Sequence, residues 1–182
     1  MVKFTVRSTL LVFSLLIVIP AMAQTPRQPS LEAQRSAMHR IGFLVGRWAG
    51  EARLFPAQGE PVALAQTEDA QYRLDGLILS IEGVGRSEVD GKPTLQAFAI
   101  ISYDDESGTY RMRAFNDGRF LECEVTLAGD GKGLTWGFTL GQVSTHSRLR
   151  VTDKGDWTEL TEISIGSSPP RKFMELTVSP KK

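Results

Sequence analysis

The sequence predicts an all-β protein: a ten-strand antiparallel up-and-down barrel with one short N-terminal helix. Short runs with apolar residues at alternate positions recur from residue 47 almost to the C-terminus. Most of the gaps between them are two to five residues long, too short for the crossover of a dozen or more residues that parallel strands need. Strand twist accumulates across ten such strands, and closing the sheet removes its exposed edges. A two-sheet sandwich is the alternative.

Composition supports one globular domain and excludes several protein classes. The chain has 182 residues, of which 41% are hydrophobic, and 21 basic residues balance 21 acidic ones. This apolar content excludes a disordered chain, and a single cysteine excludes both a disulfide scaffold and a cysteine zinc site. Because the net charge is zero, no long-range field steers the protein toward nucleic acid, and no nucleic-acid partner is expected.

Residues 1–23 have the pattern of a secretory signal peptide. Lys3 and Arg7 form a positive start, an apolar run follows over residues 10–19, and Ala21 and Ala23 provide the small side chains of a cleavage site before Gln24. An apolar run of ten residues spans about 15 Å as a helix, roughly half of a bilayer core. We therefore expect a periplasmic or secreted protein with no integral membrane span after signal cleavage.

A polar tether and a helix precede the strands. Residues 24–29 are polar with spaced prolines, and residues 30–180 are expected to form one barrel domain. Ser30 is a favourable N-cap for a helix that runs to about Arg40, with Leu31, Ala37 and Met38 on its inner side.

Ten strands are predicted between turn residues. Pairs such as Asp75-Gly76 adopt the left-handed backbone that tight hairpins require. The predicted strands cover residues 47–55, 63–74, 77–88, 94–104, 109–116, 119–128, 133–140, 143–152, 157–165 and 171–179.

Alternation within the strands indicates the inner face. Leu121, Cys123, Val125 and Leu127 share one side of their strand, with charged and polar residues on the other. Strand 94–104 is apolar on both faces, so we expect the helix to cover its outer side. A ten-strand barrel is wider than one filled by its own side chains, so an internal cavity is plausible.

Four segments carry a family resemblance. They are Ile41-Gly42-Phe43-Leu44-Val45-Gly46-Arg47-Trp48-Ala49-Gly50-Glu51, then Ile101-Ser102-Tyr103-Asp104 with Thr109-Tyr110-Arg111-Met112, Phe115-Asn116-Asp117, and Lys172-Phe173-Met174-Glu175-Leu176-Thr177. In this order and spacing, over residues 36–179, they resemble the bacterial domain of unknown function family 1579. That family is similar in architecture to nitrobindin and to fatty-acid-binding proteins, which are calycin-like barrels. The resemblance implies a ten-strand antiparallel barrel and no activity.

A haem-binding barrel is an alternative that this resemblance raises. Nitrobindin-like barrels bind haem through a histidine on the last strands, but residues 171–179 contain none. His39 lies in the predicted helix, and His146 lies on the more polar face of its strand, so we expect His146 to point outward.

No catalytic motif is found, so no catalytic residue, metal or cofactor is predicted, although an enzymatic barrel stays an alternative. A Walker loop, a Gly-x-Ser-x-Gly elbow and zinc-ligand spacing are all missing from the sequence. Gly83-Val84-Gly85 resembles half of a dinucleotide fingerprint but falls within a strand, where it is expected to relieve crowding at a barrel bend. Cys123 is expected to be a buried, inert thiol.

The predicted site is a cavity with aromatic walls and an Arg–Glu pair that takes a small hydrophobic or carboxylate ligand. A carboxylate that points inward must be paired, because an unpaired buried charge is costly. A structural ion pair in an ordinary aromatic core, within a solid structural or interaction protein, is the alternative. The candidate ligand-binding residues are Trp48, Tyr103, Arg113, Trp136, Trp157, Glu159 and Glu175.

Overall fold

A computed structural model describes residues 27–116 and 118–181. The predicted signal peptide, the first residues of the tether and the Asp117 turn position lie outside the described residues. Helix α1 (Leu31–His39) is followed by a short 3₁₀ helix (Gly42–Leu44). The strands are β1 (Gly46–Leu54), β2 (Val62–Arg73), β3 (Ile78–Ser87), β4 (Pro93–Asp104), β5 (Thr109–Asn116), β6 (Arg119–Leu127), β7 (Gly133–Leu140), β8 (Val143–Val151), β9 (Trp157–Ile165) and β10 (Arg171–Pro180).

The ten strands form a closed antiparallel barrel, which confirms the predicted fold class. Each strand pairs with its neighbour in sequence, and β1 pairs with β10 to close the sheet. The sandwich alternative is therefore wrong. Gly50 permits the closure, because a β-carbon there would clash with the Thr177 carbonyl oxygen on β10.

The N-terminal helices close one end of the barrel. Met38, Ile41 and Leu44 are fully buried. The Tyr110 hydroxyl donates to the Ala37 carbonyl oxygen at 2.6 Å, and the Tyr72 hydroxyl donates to that of Met38 at 3.0 Å. These hydrogen bonds fix α1 across the end that carries the β2–β3 and β4–β5 turns. We call this the closed end.

Asp105, in the β4–β5 turn, holds the start of α1 against the barrel. Its carboxylate accepts hydrogen bonds from the Ser30 backbone N–H at 2.9 Å and from Gln34 Nε2 at 2.7 Å, and it forms an ion pair with Arg27. The Ser30 hydroxyl accepts from the Ala33 N–H, as predicted for the N-cap.

The prediction that α1 covers the outer face of strand 94–104 is wrong. The inner side of the helix packs into the barrel end instead, and Phe98 on β4 stays 40% exposed. Phe98, Phe115 and Phe120 are successive cross-strand partners on β4, β5 and β6 and form an exposed aromatic row. The outer apolar residues of β4 are thus neighbours of other exposed rings and are not covered by the helix.

The ladder is incomplete between β6 and β7. These strands pair only through Val125, Thr126 and Leu127 of β6, whereas β7 pairs with β8 along its whole length. The parts of β6 and β7 farther from the closed end are therefore unpaired with each other. The gap in the wall between β6 and β7 therefore lies in the half of the barrel away from α1.

Candidate functional site

The barrel encloses a cavity of about 530 Å³. All ten strands contribute inward-facing residues to its lining. Most of the wall is apolar and combines small residues with large aliphatic and aromatic ones. Members of this wall include Ile81, Leu95, Ala97, Ala99, Met112, Ala114, Leu121, Leu134, Phe138 and Leu149.

The cavity opens at the end opposite α1. Leu140 lines it and is 60% exposed, and Val143 and Phe173 beside it are also exposed. These residues lie at strand ends next to the β7–β8 and β9–β10 turns. Arg119, exposed beside the β5–β6 turn, lines the same rim. We call this end the mouth.

Polar side chains interrupt the apolar wall on β2 and β9. Gln66 and Glu68 project from β2 and are only 2% and 7% exposed. Gln66 Nε2 donates a hydrogen bond to Glu68 Oε1 at 2.7 Å. From β9, Glu159 lines the same space, and its carboxylate accepts a long hydrogen bond of 3.4 Å from the Thr161 hydroxyl. We call Gln66, Glu68 and Glu159 the inner polar group.

Two glycines on β3 make room for this group. Gly83 is the cross-strand partner of Glu68, and Gly85 is the partner of Gln66. A β-carbon at residue 83 would lie 2.7 Å from Glu68 Oε2, and one at residue 85 would lie 2.6 Å from Gln66 Oε1. The Gly-Val-Gly segment therefore does relieve crowding, and the crowded groups are polar side chains of the cavity.

Burial dominates the protonation of both carboxyls. It raises the pKa of Glu68 to about 8, the Gln66 hydrogen bond opposes this rise, and the charge of Glu159 adds to it. Burial likewise raises the pKa of Glu159 to about 7, and the hydrogen bond from Thr161 opposes that rise. Two carboxyls in one enclosed space thus both titrate near neutral pH.

Two buried polar atoms of the cavity lining have no hydrogen-bond partner among the described residues. One is the acceptor Gln66 Oε1 and the other is the donor Trp157 Nε1. A buried polar atom without a partner costs about 1–3 kcal/mol of desolvation. Both residues line the cavity, so a molecule inside it can supply the missing partners.

Three of the seven predicted site residues line the cavity: Trp136, Trp157 and Glu159. Trp48 lies outside the lining, where its ring meets Trp157 edge-on with centroids 5.7 Å apart and its Nε1 donates to the Leu44 carbonyl oxygen. Tyr103 also lies outside it and packs against Tyr110 with ring centroids 5.0 Å apart. Trp48 and Tyr103 therefore belong to the core at the closed end.

The predicted interior Arg–Glu pair is wrong, because Arg113 and Glu175 lie on the outer surface. Arg113 pairs there with Glu122 at 3.4 Å, and Glu175 pairs with Lys172 at 2.6 Å. An irregularity in β10 between Lys172 and Met174 breaks the strict alternation, so Phe173 and Met174 both line the cavity. Arg111 and Arg148 also pair on the outside, with Glu124 and Glu162.

Sequence reasoning missed Gln66 and Glu68. The sequence pattern that marks them as inward-facing is weak. They share one face of β2 with Leu64 and Ala70, so only half of the residues on that face are apolar. The hairpin register set by the Asp75-Gly76 turn places both residues opposite the two glycines. This cross-strand pairing with glycines is the sequence feature that could have identified Gln66 and Glu68 as site residues.

The histidines lie away from the cavity. His146 is exposed on the outer face of β8, as predicted, and His39 is exposed on α1. Since neither lines the cavity, the residues present do not provide the histidine ligand of a haem barrel. Over residues 27–116 and 118–181, no three histidine, cysteine or acidic side chains come together as metal ligands.

Comparison with known proteins identifies the fold. No family model and no curated protein matches the sequence, so the resemblance to family 1579 stays a prediction. The barrel is similar to Rv2717c from M. tuberculosis, with a TM-score of 0.62 and 13% identity over 80% of this chain and 98% of that one. It is also similar to the S-type phycobiliprotein lyase CPES from Guillardia theta, with a TM-score of 0.58 and 13% identity over 85% and 99%. These likenesses show a common barrel fold.

None of the helices in the described part of the chain combines the length and apolar character needed to cross a bilayer.

Proposed function

We propose that this chain is a small-molecule-binding barrel that holds a hydrophobic or amphiphilic ligand in its internal cavity. The observation that carries the proposal is the cavity of about 530 Å³, which is mostly apolar and open at one end. Ligand sites are typically concave, mostly apolar and roughly 300–1,000 Å³ in volume, with a few placed polar groups. The likeness to Rv2717c and to the phycobiliprotein lyase supports the barrel and leaves the ligand open.

The residues of the cavity wall explain why an apolar ligand fits this cavity. Ala97, Ala99 and Ala114 provide space, and the larger aliphatic and aromatic residues around them provide contact area. An apolar ligand gains about 25 cal/mol for each Å² of surface removed from water. A solid-core structural protein, the alternative predicted from the sequence, has no need of this space.

A fluorescent apolar probe, N-phenyl-1-naphthylamine, tests the proposal. We expect saturable binding at one site that dodecanol displaces. Ala99→Trp fills the middle of the cavity and should weaken binding at least tenfold. Ala65→Trp adds the same side chain on the exposed outer face of β2 and should leave binding unchanged.

Non-saturable binding, or equal affinity in the wild type and Ala99→Trp, would overturn the proposal. Circular dichroism and thermal unfolding check that the variants fold. If Ala99→Trp does not fold, energy transfer from tryptophan to the probe gives a second readout. Trp136 and Trp157 line the cavity, so a probe inside must quench their emission strongly.

We also propose that the protein is exported through the predicted signal peptide over residues 1–23. Mass measurement of the protein recovered from its host should give a chain that begins at Gln24. A full-length chain in the cytoplasm would contradict this.

A further inference from the structure

The geometry points to an amphiphilic amine as the ligand, with its cationic nitrogen at the inner polar group and its apolar chain directed toward the mouth. This inference rests on the proposed function and specifies the class of ligand. It is carried by the charges, the unpartnered acceptor and the glycine recess on β3.

The charge distribution favours a cation. Glu68 and Glu159 extend from β2 and β9 into the same enclosed space. Among the residues that line the cavity, the basic one is Arg119, which lies exposed at the mouth. Two carboxylates without a buried cation are costly in a low-dielectric site, and a bound ammonium group offsets that cost.

The hydrogen-bonding atoms also fit an ammonium group. Gln66 Oε1 is a buried acceptor for which the described residues offer no partner, and the neighbouring carboxyl oxygens of Glu68 are acceptors too. An ammonium group has three N–H donors and no acceptor. A nitrogen bound beside Gln66 and Glu68 could donate to the amide oxygen and to a carboxyl oxygen at the same time, because the two side chains are hydrogen-bonded neighbours.

The recess indicates a site that exists before the ligand arrives. Gly83 and Gly85 leave space for the Glu68 carboxyl and the Gln66 amide, which any larger residue would displace. The Gln66–Glu68 hydrogen bond fixes the two side chains relative to each other. Binding groups fixed in advance lose little conformational freedom when a ligand binds.

The same features disfavour the carboxylate ligand predicted from the sequence. Its intended partner Arg113 lies outside the barrel, paired with Glu122. An anionic head at the inner polar group would meet Glu68 and Glu159, and none of the described residues that line the cavity there is basic. The basic lining residue that could pair with a fatty acid carboxylate is Arg119, which lies exposed to solvent at the mouth.

Three ligands with the same twelve-carbon chain test the inference: dodecylamine, dodecanol and dodecanoic acid. Displacement of N-phenyl-1-naphthylamine is measured at pH 8.5, where the amine is still an ammonium ion. We expect the wild type to bind dodecylamine at least tenfold more tightly than dodecanol and dodecanoic acid more weakly than both. Glu68→Gln and Glu159→Gln should reduce the amine-to-alcohol ratio toward one. Glu122→Gln, an exposed outer-face control, should leave the ratio unchanged.

The outcomes separate this inference from the proposed function. If dodecanol or dodecanoic acid binds as tightly as dodecylamine, the amine assignment is overturned while the binding function stands. A ratio that survives both glutamine substitutions also overturns it. If no chain displaces the probe, the binding function itself fails. The comparison of the three ligands on the wild type tests the amine assignment even if a glutamine variant does not fold.

Discussion

Gly83 faces Glu68 across the β2–β3 ladder, so closely that a β-carbon at residue 83 would lie 2.7 Å from Glu68 Oε2. The glycine therefore determines where the carboxyl lies in the cavity. A position that appears in the sequence as half of a nucleotide-binding fingerprint is thus part of a recess for a buried acid.

Gly83→Ala should destabilise the protein by about 1–3 kcal/mol, because the new methyl group must displace a packed carboxyl. In a Glu68→Ala background the same substitution should cost less, since the crowded atoms are gone. Denaturant unfolding of the two single variants and the double variant measures this coupling. Gly129→Ala is the control, because nothing lies within 4 Å of a β-carbon there. Equal costs in both backgrounds would show that Glu68 is not the obstacle.

The ligand-free protein should lose stability as the pH rises from about 5 to 8. Burial raises the pKa of Glu68 from 4.5 to about 8, so across this range the native state binds more protons than the unfolded state. The stabilisation that Glu68 provides is fully present below the pKa of its carboxyl in the unfolded chain, 4.5, and it is lost by about pH 8. At about 1.4 kcal/mol for each pKa unit, Glu68 contributes roughly 4 kcal/mol to this loss.

Glu68→Gln should remove most of this pH dependence, measured by urea unfolding at pH 5, 6.5 and 8. The groups that act on the Glu68 carboxyl are Gln66 and Glu159, and the basic residue among the described lining residues is Arg119, exposed at the mouth. Glu159, with a pKa near 7, accounts for the remaining slope. Glu122→Gln, on the exposed outer face, should keep the wild-type profile. A wild type whose stability is flat from pH 5 to 8 would refute the assignment.

Tyr110→Phe should destabilise the protein by about 1 kcal/mol, the typical value for one intramolecular hydrogen bond. The lost hydroxyl donates at 2.6 Å to the Ala37 carbonyl oxygen and so ties α1 to the barrel. Amide hydrogen exchange should therefore accelerate most in α1. Tyr103→Phe is the control, because the Tyr103 hydroxyl forms no hydrogen bond with any described residue. Uniform acceleration across the barrel would contradict a local role for Tyr110.

Cys123 should react slowly with iodoacetamide. Burial raises the pKa of its thiol to about 11, two units above the ordinary value of 9.0, so the reactive thiolate is about 100-fold scarcer at pH 8. Mass spectrometry follows the alkylation of this single cysteine. Thr126→Cys in a Cys123→Ser background places a thiol on the exposed face of the same strand and should react at the ordinary rate. Similar rates for the two proteins would show that Cys123 is accessible and ionised.

Local signals in the sequence were enough to predict the strands and their order. Alternation and turn residues gave strands whose ends differ by a few residues at most from those observed, for example β7 over Gly133–Leu140 and β8 over Val143–Val151. Short gaps also determined the antiparallel pairing of neighbours. These features depend on residues close together in the chain, so the sequence alone carries them.

The site depended on information that no single strand contains. Glu68 and Glu159 are 91 residues apart, and only closure of the barrel through β1 and β10 brings β2 and β9 to one cavity. On β10, alternation could not tell the inner face from the outer, because the irregularity after Lys172 turns Phe173 and Met174 inward together and leaves Glu175 outside. The sequence by itself determined the strands and their order, and it predicted a barrel with room for a cavity. Which charges face that hollow was decided by the tertiary structure, because strand tilt and one break in alternation set the side-chain directions across the barrel.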